Sequence, residues 1–188
     1  MKNKYISPLK PKKINDVKTP KIKIYTFNAG YKRSKDDLLV IVFEKPVKFA
    51  AVFTKSSTPS APVIWDKKLN KKNLCKVLIV NSGNANAYTG SSGIASIKEY
   101  ASFASKIFHC KLNQVFVSST GVIGEQLKPE PIIRKLEILK NKRSKRLIHA
   151  AKAIMTTDTY PKIVDEKIKT IKPVTKDKTF KINKIKIR

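Results

Sequence analysis

A chain of 188 residues, 41% of them hydrophobic, is long enough for one domain with a buried core. It carries 41 Lys+Arg against 13 Asp+Glu, a net charge of +28, but only Arg33, Arg134, Arg143, Arg146 and Arg188 are arginines. Arginine is the residue suited to bidentate phosphate and base contacts, and the lysines run through candidate strands and loops alike. The excess therefore reads as compositional bias with weak attraction to polyanions, and argues against a specific nucleic-acid partner.

Residues 1 to about 24 alternate lysine with isolated Ile and Pro and read as a loosely held basic arm; the globular pattern starts at Tyr25. Leu38–Phe43 and Val47–Phe53 are strand-like runs separated by a hairpin-like break at Glu44-Lys45-Pro46. A further strand, Val77–Val80, leads into Asn81-Ser82-Gly83-Asn84-Ala85-Asn86-Ala87. Ile94, Ile97, Ala101, Ala104 and Phe108 then recur at three and four residues, the stripe of an amphipathic helix.

The apolar run Val115-Phe116-Val117 predicts a buried strand ending in a tight turn over Ser118–Gly124. Pro129 and Pro131 open a helix with Ile132, Leu136 and Leu139 on one side. Leu147, Ala151 and Ile154 mark another, which Pro161 stops near Tyr160. Phe180 and Ile182, then Ile185 and Ile187, alternate as strands with a phase slip between them. The pattern breaks off at Arg188 and looks incomplete.

Cys75 and Cys110 have neither metal-ligand nor redox spacing and read as free, buried or half-buried thiols. His109 is next to Cys110 in sequence but not on the same helix face, and His149 reads as a helix-surface residue. No signal peptide and no run of membrane-spanning length is visible, which points to the cytoplasm and away from a membrane partner. No metal cluster, phosphate loop or dinucleotide fingerprint is present.

Three polar, small-residue segments each follow an apolar element: Asn81–Ala87, Ser119–Gly124 and Thr156–Lys162. Hydroxyls, amides and exposed N–H groups at element ends suit a small-molecule pocket. A strand running into Thr120-Gly121 can aim a hydroxyl and an N–H at one point, as a developing oxyanion requires. The Asn81 segment either lines the pocket or is a structural turn, and Asp158 reads as fixing local structure. Thr157 reads either as a substrate contact or as a helix-end hydroxyl bonded to backbone.

In this order, Asn81–Ala87, Ser119–Gly124 and Ala153–Lys162 resemble the bifunctional ornithine acetyltransferase / N-acetylglutamate synthase family of arginine biosynthesis. Ala51-Val52-Phe53-Thr54 and Ser60-Ala61-Pro62-Val63 add to the resemblance, which runs from about Phe27 to Pro161. It implies an α/β fold, mixed sheets packed with helices, of the ornithine acetyltransferase / aminopeptidase-like type. Residues 25–188 would be its α-chain domain, ending before the cleavage point.

The resemblance further implies a precursor that cuts itself before a threonine into α and β chains. The new N-terminal threonine of β takes an acetyl group from N-acetylornithine and passes it to glutamate. The oxyanion pair falls on Thr120 and Gly121, and a substrate contact falls best on Thr157, with Thr156 next to it. No cofactor is implied, although some members accept acetyl-CoA. The expected partner is a C-terminal β chain in an α2β2 heterotetramer. Without it this chain lacks the nucleophile and is expected to be inactive alone. The rival readings are a truncated, inactive fragment of that enzyme and a basic nucleic-acid-binding module, which would bind DNA or RNA with a steep salt dependence.

Overall fold

The computed structural model describes residues 21–69 and 74–163. Four strands, β1 (Ile22–Phe27), β2 (Leu38–Lys48), β3 (Leu74–Asn84) and β4 (Val115–Val122), form one sheet in sequential order. β1–β2 and β2–β3 are antiparallel; β4 joins β3 in parallel. Helix α1 (Ala61–Leu69) sits in the β2–β3 connection, and α2 (Gly90–Ile107) provides the crossover a parallel pair requires. Helices α3 (Glu130–Glu137) and α4 (Leu147–Ala153) follow. The sheet is mixed and packed with helices, as expected.

Both faces of the sheet are covered, which explains the continuous apolar runs of its strands. Tyr25, Val40, Ile79 and Val117 point to the side of α1, α2 and α3, where they meet Trp65, Ile97, Tyr100 and Ile132. Ile24, Leu39 and Ile41 point the other way, against Leu147, Ala150 and Ala153 of α4. Helix α4 lies mainly over the β1–β2 half, with Leu78 and Val80 of β3 packed at its margin. The opposite half of that face, over β3 and β4, carries no helix among the described residues.

Each edge of the sheet is partly closed by groups standing in for a missing strand. On β1, Ser144 Oγ accepts from the Ile24 N–H at 3.0 Å, and the Lys145 N–H donates to the Ile24 carbonyl at 2.7 Å. On β4, Trp65 Nε1 donates to the Val115 carbonyl at 3.2 Å, and Asp66 Oδ1 accepts from the Val117 N–H at 3.1 Å. Covered edges resist pairing with foreign strands.

Three local readings need correction. The Glu44-Lys45-Pro46 break is no hairpin, because β2 runs through it with a register shift between Val42 and Val47. A proline without an N–H is accommodated at such an irregularity. The residues after Lys48, including Phe49–Phe53, are not strand. Strand β1 starts at Ile22, inside the segment assigned to the arm, because its partner Phe43 extends the hairpin that far. The alternating pairs Phe180–Ile187 lie outside the described residues.

Candidate active site

The parallel strands β3 and β4 finish together, and carboxyl ends of parallel strands are where α/β sheets gather ligands. Ser82 stands opposite Thr120 and Gly83 opposite Gly121. The Ser118–Gly124 stretch is therefore not a turn at its start: β4 continues through Val122, and the bend comes after it. Pairing with β3 extends the strand, an influence outside the segment itself. Side-chain alternation puts Thr120 on the α4 face of the sheet, with Leu78 and Phe116. Val115 and Val117 turn their backbone groups toward α1, so the same alternation turns the Gly121 N–H to the outer edge.

Gly121 has φ of 138°, and a Cβ there would lie 2.5 Å from the Gly83 carbonyl oxygen and 2.6 Å from the Asn84 nitrogen. Gly83 has φ of 105°, and a Cβ on it would meet the Tyr31 carbonyl oxygen at 2.6 Å. Backbone packs on backbone at both glycines. Gly121 is required by this stack, and not simply to let an acyl group approach.

The Asn81 segment is structural. Asn81 Nδ2 donates to the Asn84 carbonyl at 2.8 Å, and Ser119 Oγ donates to Asn81 Oδ1 at 2.5 Å. Asn84 Oδ1 accepts from the Asn86 N–H at 2.7 Å, and its Nδ2 donates to the Glu125 carbonyl at 3.0 Å. Asn86 Nδ2 donates to the Gly93 carbonyl at 3.1 Å, and Thr89 Oγ1 donates to Asn86 Oδ1 at 2.8 Å. All four residues Asn81, Asn84, Asn86 and Thr89 are buried. A buried amide without partners costs several kcal/mol, so this ladder is committed to holding the β3–α2 loop.

Helix α4 ends at Ala153, well before Tyr160. Its last carbonyls are taken from outside the helix: Ser82 Oγ donates to the Ala153 carbonyl at 2.5 Å, Lys32 Nζ to the same oxygen at 3.1 Å, and Lys32 Nζ also to the Met155 carbonyl. Thr156 follows directly and lines a cleft of about 440 Å³ with Lys32, Lys35, Asp36 and His149. Thr157, the next residue, is exposed. Ser82 thus joins the two candidate segments, being opposite Thr120 and bonded to the end of α4. The hydroxyls of Thr120, Thr156 and Thr157 have no hydrogen-bond partner among the described residues.

The remaining candidates are accounted for. Burial pushes the Cys75 thiol up to about 12, so it is protonated at neutral pH and no nucleophile. Cys110 is also free, and burial raises its thiol as well. His149 is half-buried against the cleft, with an unpartnered Nδ1, because α4 turns that face toward the β1–β2 loop. Asp158 pairs with Lys162 and Lys145 pairs with Asp36. Among the described residues no group of side chains could hold a metal ion, and no helix is long and apolar enough to cross a membrane. Around the Thr120–Gly121 corner, Tyr88, Val122 and Ile123 are exposed at 91%, 50% and 68%. The Ala85 N–H to Val122 and Gly124 N–H to Ala87 carbonyl bonds hold these segments together.

Lys32 and Asp37 lie outside the segments singled out from sequence, and Ser82 stands among them only as one residue of the Asn81 segment. The adjacent pair Asp36-Asp37 in a chain with 13 acidic residues was the available signal. Asp37 is fully buried and accepts from the N–H groups of Ala29, Gly30 and Lys32.

Curated relatives include the arginine biosynthesis bifunctional proteins ArgJ of Bradyrhizobium diazoefficiens, 40% identical over 169 residues, and of Mesorhizobium japonicum, 42% identical over 167. Each alignment covers 87% of this chain, which spans only about 40% of the length of either relative. Among solved structures, ornithine acetyltransferase from Mycobacterium tuberculosis, complexed with ornithine, matches with a TM-score of 0.70 at 30% identity, covering 77% of this chain and 80% of that one. Arginine biosynthesis bifunctional protein ArgJ from Bacillus halodurans matches at 0.67 and 31%, covering 74% of each. Residues 23–185 match the family model described as the ArgJ family, and the chain belongs to that family.

Proposed function

We propose that this chain is the N-terminal, α-type part of an ornithine/glutamate acetyltransferase. It supplies the oxyanion hole and part of the substrate pocket for moving an acetyl group from N-acetylornithine to glutamate. Thr120 and the Gly121 N–H stabilise the charge that develops on the acetyl oxygen, and Thr157 contacts the amino-acid substrate. The nucleophile is a threonine at the start of a separate C-terminal chain. Its hydroxyl attacks the acetyl carbonyl, and the amide C–N bond breaks to release ornithine. The glutamate amine then attacks the acetyl ester, breaking its C–O bond to give N-acetylglutamate and the free threonine hydroxyl.

One observation carries this reading. In a corner where the side chains of Asn81, Ser82, Asn84, Asn86, Thr89 and Ser119 are all hydrogen-bonded, the Thr120 hydroxyl has no partner among the described residues, and neither have those of Thr156 and Thr157 beyond α4. Preorganised donors of this kind act on charge that appears only during reaction. A second chain is supported by the exposed Tyr88, Val122 and Ile123. Further support comes from lengths. The stretch that spans 40% of the curated relatives fills 74–80% of the matched solved chains, so those chains are much shorter than the curated relatives.

Co-expression with a C-terminal half of the family tests the proposal. A stable complex should form and transfer acetyl from N-acetylornithine to glutamate. Thr120→Ala should lower kcat by about 10²–10³, the usual effect of removing one oxyanion donor. Absence of both complex and transfer would sink the reading, and acetyl-CoA as donor is checked in the same assay.

A further inference from the structure

We propose that Lys32 and Ser82 are positioning residues of this site: they clamp the Ala153 and Met155 carbonyls and so set where Thr156 and Thr157 stand relative to Thr120. The inference rests on the acetyltransferase reading for its catalytic consequence, but not for its geometry.

A helix leaves its last carbonyls without intrahelical partners, and a glycine in left-handed conformation usually closes them. No glycine follows α4; the sequence runs Ile154-Met155-Thr156-Thr157. Instead the Ala153 carbonyl accepts two donors from distant parts of the chain, Ser82 Oγ at 2.5 Å and Lys32 Nζ at 3.1 Å, and Lys32 also reaches Met155. An ammonium donor makes charge-assisted bonds, stronger than neutral ones. Burial lowers the Lys32 pKa, and nearby Asp37 works against that loss.

Both arms of the clamp grow from Asp37. Its carboxylate accepts from the N–H groups of Ala29, Gly30 and Lys32 at 2.6, 3.1 and 2.7 Å, fixing the loop that carries Lys32. Its carbonyl accepts the Ser82 N–H at 2.7 Å, fixing the strand that carries Ser82. Ser82 in turn stands beside Thr120 in the parallel ladder. The path Thr120–Ser82–Ala153 has one side-chain hydrogen bond in it, and it ends three residues before Thr156. Displacing the α4 terminus therefore moves the substrate threonine while leaving the Thr120–Gly121 corner in the sheet.

The test has two readouts. In this chain, Lys32→Met should speed amide exchange in the last turn of α4, where the Ile154 N–H donates to the Ala150 carbonyl at 3.3 Å, by about tenfold or more, as loss of a charge-assisted bond predicts, with α2 unaffected. Lys32→Arg, which keeps a cationic donor, should restore protection, and Ser82→Ala should give a smaller increase in the same residues. In the enzyme assembled with its C-terminal part, Lys32→Met should raise KM for the amino-acid substrates about tenfold and change kcat less than about threefold, with Lys32→Arg recovering most of the KM. Unchanged exchange in the last turn of α4, or an equal rise throughout α2, overturns the clamp. Faster local exchange with unchanged KM in an active enzyme overturns the positioning role. Faster local exchange in an assembled protein that transfers no acetyl supports the clamp and sinks the acetyltransferase reading instead.

Discussion

Gly121→Ala separates two reasons for a glycine at the candidate oxyanion corner. If the residue served only to admit an acyl group, alanine would reduce activity and leave stability alone. The structure predicts a different result, because the Cβ would stand 2.5 Å from the Gly83 carbonyl oxygen, and backbone cannot rotate away as a side-chain tip can. The left-handed φ of 138° costs an L-residue about 1–2 kcal/mol, and forcing atoms into filled space costs about 1–3 kcal/mol more. A total near 4 kcal/mol lowers Tm by about 8–16 °C in a domain of this size. Gly124→Ala is the control: φ is 88°, but nothing lies within 4 Å of the new Cβ. That variant carries strain alone, about 1 kcal/mol and 2–4 °C. Thermal unfolding of the three proteins side by side reads the difference. Should Gly121→Ala melt within 2 °C of Gly124→Ala (~1 kcal/mol or less), the backbone-on-backbone argument is wrong.

Asp66 gives stability a pH dependence. Burial raises its carboxyl from 3.8 to about 7, so the folded state holds a proton that the unfolded chain has already released. The stabilisation is complete below about pH 4 and is lost as pH rises toward 7, by an amount on the order of 2–4 kcal/mol; Asp66→Asn should flatten that slope in urea titrations between pH 4.5 and 7.5. Asp37→Ala removes the buried carboxylate that accepts from three part-buried backbone N–H groups and should cost about 2 kcal/mol or more by denaturant unfolding. Asn86→Ala removes the bonds to Gly93 and Thr89 and should cost about 2–3 kcal/mol, with faster amide exchange at the start of α2.

Periodicity carried the helices well. Ile97, Ala101 and Ala104, and likewise Ile132 and Leu136, are buried as their spacing requires. Strand limits were less legible, because pairing partners decide them: Phe43 extends β1 to Ile22, and Gly83 keeps Gly121 inside β4. The candidate threonines could be located from local pattern, since each follows an apolar element. Nothing local announces Lys32, and the Asn81 segment offers Ser82 only as one polar residue among several. Their roles come from contacts 121 and 71 residues away along the chain, and a lysine among 41 basic residues carries no signal of its own. The Asn81 segment shows the opposite difficulty, because polar residues suited to a pocket and polar residues suited to a buried loop look alike until their partners are known.

The Ser82–Ala153 and Lys32–Met155 bonds also bear on folding order. β1, β2 and β3 assemble from neighbours in sequence, whereas the end of α4 must return across most of the chain, a closure that is slow to find. The sheet and its Thr120–Gly121 corner can therefore exist before Thr156 and Thr157 arrive. A chain that has made the sheet but not docked α4 has one of its two faces packed and half of the candidate site. Docking of α4 closes that second face and completes the candidate site in one event.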